Sequence, residues 1–240
     1  MKFDVYEYTS KGGRDYNEDC LGSLYDENGG IFVVADGLGG HTLGNMASLK
    51  AVETIVSGWD NSAEDISEEL DRKIEEANMG ILALQNEMKA IMKTTVAALA
   101  VSGKKAVCAH SGDSRVYAIH GNEFVYCTND HSVAFKKFKS GEITREQIAA
   151  DEDQSSLLRS LGNSDRYKPE IYSPNIEIGK GDAFFLCSDG AWEYLRDEEI
   201  LIDFLKSETA RQWSELLMLR IMERVNGRND NLSLLTIIVK

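Results

Sequence analysis

The stretch Ile31-Phe32-Val33-Val34-Ala35-Asp36-Gly37-Leu38-Gly39-Gly40-His41 decides the fold. Five consecutive apolar residues leave no polar face, so a strand here has to be covered on both sides. The run then passes directly into an aspartate and a glycine-rich loop. The same junction recurs at Phe184-Phe185-Leu186-Cys187-Ser188-Asp189-Gly190. Apolar runs at residues 96–101 and 234–239 predict two more doubly covered strands, and Arg228-Asn229-Asp230-Asn231 leads into the latter. Strands of this kind belong inside a layered fold.

Working outward, residues 106–111 and 115–119 flank Gly112-Asp113-Ser114, which reads as a hairpin turn, and Gly121-Asn122 introduces a further strand at residues 123–127. Hairpins among the strands favour an antiparallel α+β arrangement over a doubly wound one. Helices are expected at residues 44–56 and from Ser62, where Ser62 and Asp65 form a capping-box-like pair. In this second helix Ile66, Leu70, Ile74, Ala77, Ile81, Leu84, Met88 and Ile91 recur in steps of three and four. A C-terminal helix carries Trp213, Leu216, Leu217, Ile221 and Val225. These stripes read as core faces, not cofactor boxes. The two prolines, Pro169 and Pro174, bracket a short turn-rich stretch, and no linker, repeat or low-complexity tract divides the chain. Residues 1–240 are expected to form one domain.

The 240 residues are 42% hydrophobic and 28% charged, which excludes a disordered or fibrous chain. A formal net charge of −14 repels phosphate backbones and argues against nucleic acid as a partner. No apolar run approaches the ~20 residues a membrane span needs, and Met1-Lys2-Phe3-Asp4-Val5-Tyr6-Glu7 lacks a signal-peptide core. A soluble, cytoplasmic protein with no membrane partner is the expectation. Cys20, Cys108, Cys127 and Cys187 are scattered without a CxxC pair, so neither disulfides nor a zinc site is expected.

The chemistry lies in aspartates placed at strand ends: Asp36, Asp113, Asp189 and Asp230. Singly, Asp-Gly after a strand is an ordinary turn. Several together can converge on one sheet edge, where carboxylates repel and stay ionised only beside a cation. Hard oxygen ligands without a His/Cys cluster point to Mg²⁺ or Mn²⁺. The glycine loop at residues 36–41 could cradle a phosphate or let the Gly37 carbonyl reach a metal. It is neither a Walker loop nor a Rossmann fingerprint. Arg14, just before Asn17-Glu18-Asp19, would on its own be surface charge. Beside a metal site its guanidinium fork suits a phosphate.

The ordered series Arg14-Asp15-Tyr16-Asn17-Glu18-Asp19, Asp36-Gly37-Leu38-Gly39-Gly40-His41, Thr94-Thr95, Gly112-Asp113-Ser114-Arg115, Asp130-His131-Ser132, Leu186-Cys187-Ser188-Asp189-Gly190 and Asp230-Asn231 spans nearly the whole chain. It resembles the metal-dependent type 2C protein phosphatases in their short bacterial form. The resemblance implies a four-layer α-β-β-α sandwich of two antiparallel sheets. It implies a centre of two Mg²⁺ or Mn²⁺ ions bridged by Asp36, with the Gly37 carbonyl on one ion and Asp189 and Asp230 on the other. Glu18 and Asp19 would hold metal waters, Arg14 would grip the phosphate, and Asp113 would share a third, weaker ion with Asp189. Two ions about 3.5–4 Å apart lower the pKa of a bridging water, and the resulting hydroxide attacks phosphorus in line without a phosphoenzyme. A metal water or a histidine would protonate the leaving alkoxide, with His41 the candidate general acid.

The expected partners are phosphorylated proteins, targets of a Ser/Thr kinase. The alternative is a silent pseudophosphatase that binds phosphoproteins without turnover. A phosphatase dedicated to one regulatory partner is a further rival. Lys93 stands where the family usually has glycine. Residues 133–154 correspond to the variable flap, in which Lys136, Lys137, Lys139 and Arg145 supply a group of basic side chains. The flap reads either as a solvated helix face or as a lid that contacts substrate.

Overall fold

The computed structural model describes residues 1–39, 43–61, 63–174 and 177–240. In chain order the elements are β1 (Phe3–Ser10), β2 (Asp19–Tyr25), β3 (Gly29–Leu38), α1 (Leu43–Ser57), α2 (Ile66–Met88), β4 (Lys93–Thr94), β5 (Val96–Ser102), β6 (Lys105–Ser111), β7 (Arg115–His120) and β8 (Glu123–Cys127). There follow α3 (Val133–Ser140), a 3₁₀ turn (Arg145–Ala150), β9 (Glu170–Tyr172), β10 (Ala183–Cys187), α4 (Asp189–Trp192), α5 (Asp197–Leu205), α6 (Ala210–Arg224) and β11 (Leu232–Val239).

Among the described residues the strands make two antiparallel sheets. One runs β1-β11-β10-β7-β8. The other runs β2-β3-β5-β6-β9, with β4 paired to β3. The doubly apolar runs now have their reason. Ile31, Val33 and Ala35 face α1 and α2, meeting Ala47, Ile55, Leu70 and Ile74. Phe32 and Val34, on the other face of the same strand, pack between the sheets against Leu99, Val116, Phe184 and Leu235. On the far side Phe185, Leu234 and Tyr117 pack against Trp213, Leu217 and Ile221. Helix, sheet, sheet, helix is therefore the α+β sandwich expected from the sequence.

The structure corrects the sequence reading in several places. Gly112-Asp113-Ser114 is not a hairpin turn, because β6 and β7 lie in different sheets. Gly112 takes φ +111°, and a Cβ there would fall 2.6 Å from Thr95 Cγ2, so only glycine lets the chain cross between layers at this point. Both flanking strands are apolar on both faces, so alternation could not reveal the change of sheet. Gly121 and Asn122, both at positive φ, do close a two-residue hairpin between β7 and β8.

Helix α2 is capped by Asp65 itself, whose carboxylate accepts from the Ser67 and Glu68 N–H groups; Ser62 lies outside the described residues. The helix ends at Met88 because Lys89 turns left-handed, so Ile91 leaves the stripe and stands 75% exposed. Strands β1 and β2 carry no signal in the apolar pattern. They are half-buried and polar-rich and lack the apolar runs that mark the inner strands. All four cysteines are free.

Candidate active site

One edge of the sandwich gathers the acidic strand ends. Asp19 opens β2 and sits in register opposite Asp36 of β3. Asp189 begins α4 directly after β10, and Asp230 directly precedes the Asn231 turn into β11, the neighbour of β10. Asp113 rides the crossover between β6 and β7. The charges of Asp36 and Asp189 act directly on each other.

The backbone under these residues is held by short polar contacts. The Asp36 carbonyl accepts from Thr95 N and Thr94 Oγ1, each at 2.8 Å, and Asp36 N donates to Thr95 Oγ1 at 2.9 Å. Thr95 Oγ1 in turn lies 2.7 Å from Ser114 Oγ, tying the Asp36 strand to the Asp113 crossover. Ser188 Oγ donates to Asp19 Oδ2 at 2.7 Å while accepting from Ser233 N at 3.1 Å. Asn231 accepts from Glu18 N at 2.8 Å and donates to the Lys11 and Tyr16 carbonyls, so the Arg14 loop is sewn to the Asp230 turn. Gly190 packs so closely there that a Cβ would meet Asn231 O at 2.0 Å.

The charges are crowded. Burial first, then the charges of Asp189, Asp19, Asp113 and Asp230, push Asp36 well above the ordinary aspartate range. Burial and Asp189 do the same to Asp113. Asp19 is pushed up to about 7 and Asp189 to about 6, again by burial and by neighbouring carboxylates. Burial also raises Glu18, whose Oε1 accepts from Gly44 N at 3.2 Å. Asp19 Oδ1 and Asp189 Oδ1 are buried without a hydrogen-bond partner. Buried lone pairs without donors, amid mutually repelling carboxylates, are what a divalent cation relieves. The oxygen-only donor set fits a hard ion such as Mg²⁺ or Mn²⁺.

Glu193, one turn along from Asp189, joins this field and is pushed up to about 8 by burial, Asp189 and Asp230. Sequence reasoning missed it because no strand end or motif flags it. Arg14 is present at the site, with Nη2 2.6 Å from Asp230 Oδ2. Gly37 follows Asp36 with its N–H on the Glu18 carbonyl at 3.1 Å. His41 lies outside the described residues.

The flap is not basic on balance, because Glu142, Glu146, Asp151, Glu152 and Asp153 stand among its Lys and Arg residues. Lys137 is bound by Asp151 at 2.9 Å and Asp153 at 2.8 Å, and Arg145 by Asp197 at 2.7 Å. Lys136 and Lys139 remain exposed, with no ion pair among the described residues.

A separate grouping of possible ligands, His110, His131 and Glu170, has its ligand atoms within 4.8 Å of one another. The two imidazoles stack almost plane on plane, 11° apart with centroids at 4.4 Å. Their in-plane lone pairs therefore run side by side and do not converge on one ion.

Comparison with known proteins decides the family. The family described as Protein phosphatase 2C matches residues 13–220. The chain belongs to the protein phosphatase 2C family. It is 32% identical over 233 residues to the serine/threonine phosphatase Stp of Listeria welshimeri, covering 93% of this chain and 90% of that one. It is 32% identical over 193 residues to protein phosphatase PhpP of Streptococcus pneumoniae, covering 78% of each. Among solved structures, the serine/threonine phosphatase PstP/Ppp of Mycobacterium tuberculosis superposes with a TM-score of 0.86 at 26% identity, over 99% of both chains. A PstP catalytic domain in complex with two manganese ions shares the fold at 24% identity and a TM-score of 0.83. Membership makes this chain an enzyme, a protein phosphatase. Among the described residues no helix is long and apolar enough to cross a membrane.

Proposed function

We propose that this phosphatase hydrolyses phosphoserine and phosphothreonine in proteins, the products of Ser/Thr kinases, with two Mg²⁺ or Mn²⁺ ions at the acidic edge. The observation that carries the reading is the crowd of Asp19, Asp36, Asp113, Asp189 and Asp230, drawn from separate elements, with buried oxygens lacking partners. Its support from relatives is their naming as serine/threonine phosphatases and the two manganese ions of a structure with the same fold.

In this reading Asp36 and the Gly37 carbonyl, with Asp189 and Asp230, hold the core ions, and Asp113 with Asp189 holds a third, weaker one. Glu18 and Asp19 orient bound water. Ions so held supply a water activated at neutral pH and offset the charge on the phosphoryl oxygens. Arg14 serves the substrate: once Asp230 is neutralised, the guanidinium is free to take two phosphoryl oxygens. Thr94 and Thr95 keep Asp36 fixed so that no reorganisation is needed when substrate arrives. A silent phosphoprotein-binding role would tolerate loss of an aspartate, and here Asp36, Asp189 and Asp230 are all present and gathered. The deciding experiment follows hydrolysis of an aryl phosphate and of a phosphothreonine peptide, with chelator and with added Mn²⁺. Turnover that appears only with metal supports the reading. Full turnover in excess chelator, with metal shown to be absent, overturns it.

A further inference from the structure

Each residue of the Gly112-Asp113-Ser114 crossover is pinned by a different element. His131 N donates to the Gly112 carbonyl at 2.8 Å, and Gly112 N donates to His131 Nδ1 at 3.3 Å. Ser114 meets Thr95. The Asp113 carbonyl accepts from Trp192 Nε1 at 2.9 Å. Trp192 is the last residue of α4, the single helical turn that begins with Asp189. One indole N–H therefore joins the backbone of one acidic residue to the helical turn that carries another. The ring is 3% exposed, so water has little access to replace this bond. The indole cannot pivot either. The Arg115 guanidinium lies 3.6 Å from its ring centroid and is itself held at two points by Asp130, at 2.8 and 2.6 Å.

We infer that Trp192 is a positioning residue: it sets the spacing of Asp113 and Asp189, and so the affinity for the weaker third ion, without touching ion or substrate. The inference rests on the metal-dependent reading above. A metal site tolerates little change in ligand spacing. Freed from the indole, the Asp113 turn stays attached through Gly112 and Ser114 but loses its only described hydrogen bond to the Asp189 helix.

Calorimetric titration with Mn²⁺ tests this in the wild type, Trp192→Phe, Asp113→Asn and the double variant. Phenylalanine keeps an aromatic ring beneath Arg115 but removes the N–H donor together with one ring of the indole, so benzothienylalanine at position 192, which replaces N–H by sulfur at the same shape, is titrated beside it. The weaker class of sites should bind about three- to tenfold less tightly in Trp192→Phe, the cost of one neutral hydrogen bond, while the tight class is unchanged. In the double variant Trp192→Phe should add nothing to Asp113→Asn, since it acts through that residue. Unchanged weak binding in a folded Trp192→Phe protein, or full additivity with Asp113→Asn, overturns the inference. If Trp192→Phe fails to melt cooperatively, the same two outcomes are read from the benzothienylalanine protein. A wild type with tight sites and no weaker class overturns this inference alone. A wild type that binds no Mn²⁺ overturns the functional reading with it.

Discussion

The Arg14 guanidinium lies 2.6 Å from the Asp230 carboxylate, an ion pair across the mouth of the acidic edge with both side chains partly exposed. Asp230, and behind it Asp189 and Asp36, hold the arginine's proton more firmly than usual. A residue proposed to bind phosphate thus also competes with cations for one of their ligands. Arg14→Ala should raise KM for a phosphopeptide several-fold and, in the absence of substrate, tighten Mn²⁺ binding modestly, because a competing positive charge is gone. The pair is solvated, so added salt should shrink the second effect. Normal KM together with unchanged Mn²⁺ affinity would return Arg14 to surface charge.

Asp36→Asn and Asp113→Asn should separate the two classes of ion. Asp36 lies deepest in the field of like charges, facing Asp189, Asp19, Asp113 and Asp230, whereas Asp113 feels chiefly Asp189 and Asp130. Tight Mn²⁺ binding should be lost in Asp36→Asn and nearly unchanged in Asp113→Asn, with activity falling in the same order. The reverse ranking in a calorimetric titration would contradict the assignment.

The metal-free protein should lose stability as pH rises. Burial and like charges hold Asp19 at about 7 and Asp189 at about 6, while in the unfolded chain an aspartate titrates near the ordinary value of about 3.9. Between those limits the native state carries more protons than the unfolded state, so stability falls with rising pH. The contribution is whole below about pH 4 and is gone above about pH 7. Tm in the presence of chelator should therefore drop from about pH 5 to about pH 7.5, and the gain in Tm on adding Mn²⁺ should be larger at the upper end, where protons no longer compete. A Tm in chelator that climbs over that range would refute the assignment of these shifts.

For the flap, the double reversal Lys136→Glu with Lys139→Glu is the informative change, since these two lysines are exposed and have no ion pair among the described residues. It should raise KM for an acidic phosphopeptide and leave an aryl phosphate untouched, at about 0.2–1 kcal/mol per exposed contact, an effect that salt erases. Lys137→Glu should behave differently. It sets a third carboxylate against Asp151 and Asp153, so its main result should be a lower Tm. An unchanged ratio of kcat/KM for the two substrates at low salt would leave the flap a solvated face.

The sandwich was legible because residues 31–35 and 184–187 show an apolar side chain to both neighbours, a demand that only stacked layers meet. The aspartates were legible because each follows or precedes such a run. What escaped notice depended on which sheet a strand joins. The Asp113 turn looks the same in sequence whether it closes a hairpin or crosses between layers, and only the packing of β6 against β5 and of β7 against β10 distinguishes them. The edge strand β1 alternates weakly, because it is covered on one side only in part. Glu193 and Trp192 are hidden for a related reason. Trp192 meets Asp113 and Glu193 feels Asp230, neighbours far away in the chain. Lys137 and Arg145 read as uncommitted charge because their partners Asp151, Asp153 and Asp197 stand 14 or more residues further along the chain.

Strand β1 pairs with β11 along its whole length, Phe3 opposite Val239 and Ser10 opposite Leu232. During translation β1 must therefore wait for β11 before its edge is covered. The same order applies to the acidic edge, since Arg14 is made 216 residues before Asp230 and Glu18 213 residues before Asn231, the residues to which they hydrogen-bond. Folding from the amino end, as is usual on the ribosome, can build the β3–β5–β6 half but cannot complete the acidic edge. The acidic edge is therefore incomplete in any growing chain that has not yet reached β11.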